Sequence, residues 1–357
     1  MTRRAPVPAR WSTADPALAA SCCRRAGGDR HDAHPGARCG GTPPVLLCSG
    51  STNASGSAGP PGEGNGLIVD RRAGRGGRYG DGGAIGTLGP MDKPTLRWLD
   101  GAGVAGGVRT RPFEVGDGET TERVVPGLLW TPVDARGGRP LVLIGHGASG
   151  SKAEGYVVSV ARWLVTRAGY AAAAIDGPVH GDRRAGGATS GAVPFLEFSQ
   201  VWSGDPTMTD TMIADWRRTL DALSPLEEVD GGPVGWWGLS MGTILGLPFV
   251  AEEPRVQAAV LGLMGMTGPT RERIRTDAPR VLCPVLYLVQ WDDELFDRHA
   301  SFELFDALGS RDKRLHANPG RHGEVPDEEF EASVAFLVER LGGPVDPAAL
   351  HEGRATA

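Results

Sequence analysis

From residue 91 onward, short apolar runs alternate with amphipathic stretches, the sequence sign of β-α units built around a mostly parallel sheet. Residues 141–144 form a continuous apolar run, as expected of a strand covered on both faces, and it ends in Gly145-His146-Gly147. Residues 154–167 carry Val157, Val158, Val160, Ala161, Leu164 and Val165 at helical spacing, with Gly169 as the stop. Strands are predicted at 111–115, 124–131, 170–175, 234–238, 257–261, 285–289 and 314–317. Helices are predicted at 208–223, 241–251, 301–307 and 327–341. Between them, residues 176–207 show no regular period. A connection of about 30 residues exceeds the ordinary range, so this stretch reads as a functional or mobile loop. The segment 262–280 gives no clear pattern either. No internal repeat is visible, and one domain over 91–345 with a tail at 346–357 is the economical division.

Composition separates the first 90 residues from the rest. They contain no Lys, 11 Arg against 6 Asp and Glu, and four of the five cysteines (Cys22, Cys23, Cys39, Cys48). With a net charge of -6 for the whole chain, about −11 falls on the remainder. Stretches as glycine-rich as 74–89 bury too little apolar surface to offset the entropy of ordering, and predict disorder. Met91 precedes the first ordinary mixed composition, which makes it a candidate for the true start. Arg3-Arg4 lacks the apolar region of an export signal, and the run before Cys48 lacks the features of a lipoprotein site. Cys22, Cys23, His31, His34 and Cys39 follow no standard zinc spacing.

With no apolar stretch near 18 residues, the expectation is a cytoplasmic protein with no membrane span, no metal and no cofactor. Cys283, set in an apolar run, is expected as a buried reduced thiol. The acidic remainder has no basic stripe, which argues against nucleic-acid binding.

The chemistry centres on Gly238-Leu239-Ser240-Met241-Gly242, between the apolar run 234–237 and a predicted helix. A chain with 54 glycines produces roughly 0.4 chance matches to this pattern, so its context decides. A strand before and a helix after put Ser240 on the sharp turn that raises a nucleophilic serine above a sheet. A serine hydroxyl needs a histidine to take its proton and a carboxylate to orient that histidine. His322 follows the last predicted strand in a glycine-flanked loop. Asp292 and Asp293 both follow the strand at 285–289, and only one of two adjacent side chains can face the histidine. The developing oxyanion needs two backbone donors. Met241, at a helix N-terminus, supplies one, and Ala148, in the loop after 141–144, is the choice for the other.

Together, His146-Gly147, the run Asp176-Gly-Pro-Val-His180-Gly181-Asp182-Arg183, the serine pentapeptide, Asp293 and His322 resemble the α/β-hydrolase superfamily. The likeness is to serine esterases of its dienelactone-hydrolase-like branch, over about residues 105–342. The resemblance implies an eight-stranded, mostly parallel sheet with helices on both faces, and hydrolysis of a small-molecule ester through an acyl-serine. Family spacing favours Asp293 over Asp292. Dienelactone hydrolases proper use a cysteine where this chain has Ser240, which favours the serine-esterase members.

The remaining candidates carry structural readings beside functional ones. His146 reads as an anchor of the oxyanion loop, and His180 as a stabiliser of its turn that also lines the pocket. Trp202, Trp291, Phe195 and Phe198 fit a pocket wall or plain core. Residues 215–218 read as a helix with a buried tryptophan and a solvated charged face. Two other functions share the pattern: a thioesterase or peptidase on the same residues, and a catalytically silent binding protein on the same fold.

Overall fold

The computed structural model describes residues 94–116, 124–134, 137–229 and 231–342. The expectations for residues 1–90, including the start at Met91 and the zinc-type cysteine set, and for the tail at 346–357 lie outside the described residues. Among the described residues ten strands form one sheet: β1 Thr95–Trp98, β2 Gly103–Ala105, β3 Val108–Gly116, β4 Val125–Pro132, β5 Leu141–Gly145, β6 Ala171–Ile175, β7 Val234–Gly238, β8 Val256–Gly262, β9 Val285–Gln290 and β10 Lys313–Asn318. Their order is β1-β3-β4-β6-β5-β7-β8-β9-β10, with β2 paired to β3. The six strands from β6 to β10 along this path run parallel, and β1 to β4 are antiparallel. The eight strands expected are β3 to β10. The other two are short and largely exposed, without the apolar alternation that marks a strand in sequence.

The helices are α1 Gly155–Ala168, α2 Ala192–Gly204, α3 Met208–Leu223, α4 Met241–Glu252, α5 Arg271–Asp277, α6 Arg298–Ala307 and α7 Asp327–Leu341. None among the described residues is long and apolar enough to cross a membrane. Two of them, α2 and α5, fall in stretches read from sequence as irregular. Pro194 does not interrupt α2: it is the third helical residue, where its missing N–H has no intrahelical partner to lose. In α5 only Ile274 and Asp277 are buried, too few for a periodic signal. α6 begins earlier than expected because Asp297 caps it, accepting from the backbone N–H groups of His299 and Ala300.

Strand β7 shows how the sheet divides the core. Adjacent residues point to opposite faces, so Trp236 and Trp237 enter different apolar clusters. Trp236 meets Trp216 edge to face at 4.9 Å and Phe249 at 5.5 Å. Trp237 lies against Phe330 at 5.9 Å and Tyr156 at 6.1 Å. On the first face, α4 is apolar all round and almost wholly buried, as a central helix must be.

Cys283 is a free thiol but only partly buried, and that burial raises its pKa to about 12. Asp215 departs further from expectation. It is fully buried on α3 and accepts from Arg183 Nη1 at 2.7 Å, so this helix face is an internal ion pair rather than a solvated surface.

The fit of α4 onto β7 predicts the effect of one methyl group. A Cβ at Gly246 would lie 2.1 Å from Trp236 Cζ2, and Trp236 has no exposed side on which to retreat. Gly246→Ala is expected to cost about 1–3 kcal/mol through overpacking, read as a lower urea midpoint at unchanged m-value.

Candidate active site

Four loops leave the carboxyl ends of parallel strands β5, β7, β9 and β10 and meet over the sheet. The loop after β7 is a strained turn: Ser240 has φ 58 and ψ -120, between the end of β7 and the first residue of α4. Ser240 N–H donates to Gly262 O at 3.0 Å. Thr243 Oγ1 accepts from Gly262 N at 2.8 Å and shares its proton between Gly238 O (2.9 Å) and Gly262 O (2.7 Å). The flanking glycines answer a steric need. A Cβ at Gly242 would lie 2.5 Å from Gly145 O, and one at Gly238 would lie 2.8 Å from Gly242 O.

The serine hydroxyl is 2.9 Å from His322 Nε2, and His322 Nδ1 is 2.8 Å from Asp293 Oδ2. Asp293 Oδ1 accepts from the backbone N–H groups of Leu295 (2.8 Å) and Phe296 (2.9 Å), which fixes the carboxylate. Asp292, its neighbour, is exposed, and its N–H donates to Gly320 O at 3.0 Å, tying this loop to that of His322. Ser240 and His322 are both buried. Two flanking residues escaped the sequence reading. Glu294 Oε2 accepts from His322 N at 2.9 Å, and the Phe296 ring lies 5.7 Å from the imidazole. Burial pushes the Glu294 carboxyl up, but the His322 N–H and nearby Arg321 outweigh it and hold it below the ordinary glutamate range. Glu294 was legible only as a third acid in the run 292–294.

Among the described residues, no hydrogen bond is made by the N–H of Met241 or by that of Ala148, whereas the following amides of α4, Gly242 and Thr243, bond to Leu239 O and Ser240 O. The loop carrying Ala148 is heavily braced. Gly147 N–H donates to Tyr156 Oη at 2.6 Å. Lys152, which the sequence reading passed over, donates from Nζ to Asp176 Oδ2 (2.5 Å) and Asp182 Oδ2 (2.6 Å), and from its N–H to Asp176 Oδ1 (2.9 Å). Asp176 is fully buried and Lys152 nearly so.

His146 is buried in the same loop. Its Nε2 accepts from Gly177 N at 2.9 Å, so its proton is on Nδ1, which donates to Gly147 O at 2.8 Å. Burial, with the neighbouring His180, depresses its pKa to about 3. Trp202 is partly buried, stacks on buried Phe198 at 6.0 Å and donates from Nε1 to Thr270 Oγ1 at 3.0 Å. It bridges α2 to the segment before α5. Phe195 is partly buried against the same core. Trp291 is 46% exposed, with the Arg298 guanidinium 4.7 Å from its ring centre.

No family model and no curated protein matches the chain. Several solved structures do. A PEG-bound cold-adapted esterase from an Arctic intertidal metagenomic library is 41% identical, with a TM-score of 0.60 over 69% of this chain and 99% of that chain. Acetyl xylan esterase 1 from Thermoanaerobacterium sp. JW/SL YS485 is 16% identical, with a TM-score of 0.54 over 69% and 88%. An acetyl xylan esterase from Paenibacillus sp. R4 is 20% identical, with a TM-score of 0.53 over 71% and 90%. The last two share the fold alone. Fold and likeness together define an α/β-hydrolase. Within that superfamily, the chain belongs to the family of the Arctic esterase.

The state of His146 carries a pH dependence. An unfolded histidine titrates near 6.5, so between about pH 6.5 and pH 3 the unfolded chain holds a proton that folded His146 does not. Stability from this group is complete above the unfolded value and falls as pH drops toward 3, by up to about 1.4 kcal/mol per pH unit. Urea unfolding between pH 7.5 and 4.5 should show that component in the wild type and its absence in His146→Gln.

Proposed function

We propose that the protein hydrolyses carboxylic esters of small molecules through an acyl-serine intermediate, with Ser240 as nucleophile, His322 as general base and Asp293 as its orienting acid. The observation that carries the reading is the unbroken relay from Asp293 Oδ2 through His322 to Ser240 Oγ, at 2.8 and 2.9 Å. As Ser240 Oγ bonds to the ester carbonyl carbon, its proton passes to His322 Nε2, and Asp293 stabilises the imidazolium. Negative charge collects on the former carbonyl oxygen. The N–H groups of Met241 and Ala148 are the donors assigned to it, and loss of one such donor typically costs about 2.7–4 kcal/mol of barrier. Collapse of the intermediate breaks the bond to the alcohol oxygen, which leaves with the proton from Nε2. Water then adds to the acyl carbon as its proton passes to Nε2, and the acid departs as the acyl–Oγ bond breaks and Nε2 returns the proton to Ser240 Oγ.

Asp293 rather than Asp292 fits the role of the acid, because the Asp292 side chain lies outside the relay in an exposed position. The buried, fully bonded His146 suits an anchor of the oxyanion loop rather than a proton carrier.

Ser240→Ala is expected to abolish hydrolysis of p-nitrophenyl acetate and butyrate and labelling by a fluorophosphonate, with an unchanged circular dichroism spectrum. Asp293→Asn should lower kcat by about 10³- to 10⁴-fold through the wrong imidazole tautomer, while Asp292→Asn stays near wild type. Turnover surviving in the Ser240 variant would refute the mechanism. A substrate set that includes a thioester and a peptide anilide tests the preference for esters.

A further inference from the structure

The loop that carries Ala148 is gripped by two imidazoles from different strands. His146 Nδ1 donates to Gly147 O at 2.8 Å. His180, from the loop after β6, sets Nε2 2.7 Å from Ala148 O and Nδ1 2.6 Å from Pro178 O. The two rings meet edge to face at 5.0 Å, and Phe198 packs against His180 at 5.9 Å. His180 is fully buried.

These bonds act on successive peptide units. The carbonyl of Gly147 and the N–H of Ala148 belong to one planar trans unit and point in opposite directions. Holding Gly147 O therefore aims the Ala148 N–H. The Ala148 carbonyl belongs to the next unit. Unless that unit is also held, rotation about the Ala148 backbone bonds lets the loop swing and the donor drift. His180 supplies the second hold.

The chain accepts an unfavourable backbone angle at one residue, Val179, and uses a glycine at another to put His180 there. Val179, just before it, has φ 57, and Gly181, just after it, has φ 47. A Cβ at Gly181 would lie 2.2 Å from Asp176 Oδ1. Asp176 is itself bound to Lys152 and to the Asp182 N–H (2.9 Å), which ties the strained turn to the Ala148 loop. Strain of this kind persists only where the surroundings over-determine it.

Building on the esterase reading, we propose that His180 is a positioning residue: through Nε2 and the Ala148 carbonyl it keeps the Ala148 N–H aimed at the oxyanion. A neutral imidazole has one N–H for two carbonyls. The same ring, protonated on Nδ1 instead, would merely close its own turn on Pro178. The two roles separate by which nitrogen matters.

Glutamine places its amide near the position of Nε2 and asparagine near that of Nδ1, while phenylalanine keeps the bulk and no donor. With p-nitrophenyl butyrate, His180→Phe is expected to lower kcat by about 10- to 100-fold, less than outright loss of a donor, with KM changed less than about twofold. His180→Gln should recover kcat to within about threefold of wild type, and His180→Asn should be as slow as the phenylalanine variant. Melting curves accompany each variant. A folded Gln variant as slow as Phe, an Asn variant that recovers in its place, or a loss spread equally over kcat and KM overturns the inference. Unfolding of all three variants would also overturn it, since His180 would then serve the fold. If Phe alone fails to fold, the Gln and Asn pair decides. Activity in Ser240→Ala would instead strike the esterase reading beneath it.

Discussion

A serine held at φ 58 and ψ -120 sits outside the favoured regions of the backbone map, at a cost on the order of 1–3 kcal/mol. What keeps it there is the close approach of α4 to β5 and β7. Gly242 packs its Cα hydrogens against the backbone of Gly145, where any side chain would collide. The serine amide and the Thr243 hydroxyl then lock onto the end of β8 through Gly262. Three neighbouring strands thus share the load, and none could shift without releasing the turn. The same contact sets the N-terminus of α4, and with it the N–H of Met241, beside the loop after β5.

A second layer of constraint is ionic. Lys152, Asp176 and Asp182 join the loops after β5 and β6, and Arg183 pairs with buried Asp215 on α3. Removing two charges from water costs about as much as their attraction returns, so such pairs contribute little net stability. Their effect here is geometric. Asp176 accepts bonds from the backbone of both loops as well as from Lys152, so it defines their spacing where apolar packing would tolerate slippage. The neutral, buried His146 adds a bond on the same loop without adding charge.

The parts of this arrangement differed in how far they could be read from the chain. Strands β5, β7 and β9, covered on both faces, stand out as apolar runs, and α3 and α7 match their predicted spans because one face of each is periodically apolar. The serine turn was legible through its glycines. Between Asp292 and Asp293 the residues alone gave no choice, since adjacent carboxylates are equivalent in pattern, and only the family resemblance favoured Asp293. Lys152 was invisible because its partners lie 24 and 30 residues away. The exposed strands β1 and β2 and the short polar α5 bury too little to leave a pattern. In α2 the spacing of Phe195, Phe198, Val201 and Trp202 was helical, but Gly191 and Pro194 masked it.

This division has a physical logic. Ser240 and Asp293 follow the buried strands β7 and β9, where core packing demands a strong hydrophobic signal and tolerates little variation, whereas His322 follows the half-exposed strand β10. Helix α2, in contrast, is only partly buried, and it is tied to its neighbours by Gly191 N–H to Ser149 O at 2.6 Å, by Glu197 to Arg184 and by Trp202 to Thr270 at 3.0 Å. Val193 and Leu196 on α2 remain exposed, so substitutions there alter surface rather than core. Changes on this exposed side of α2 leave the contacts of the serine turn untouched. Buried strands thus leave a strong mark in the sequence and a partly exposed helix a weak one.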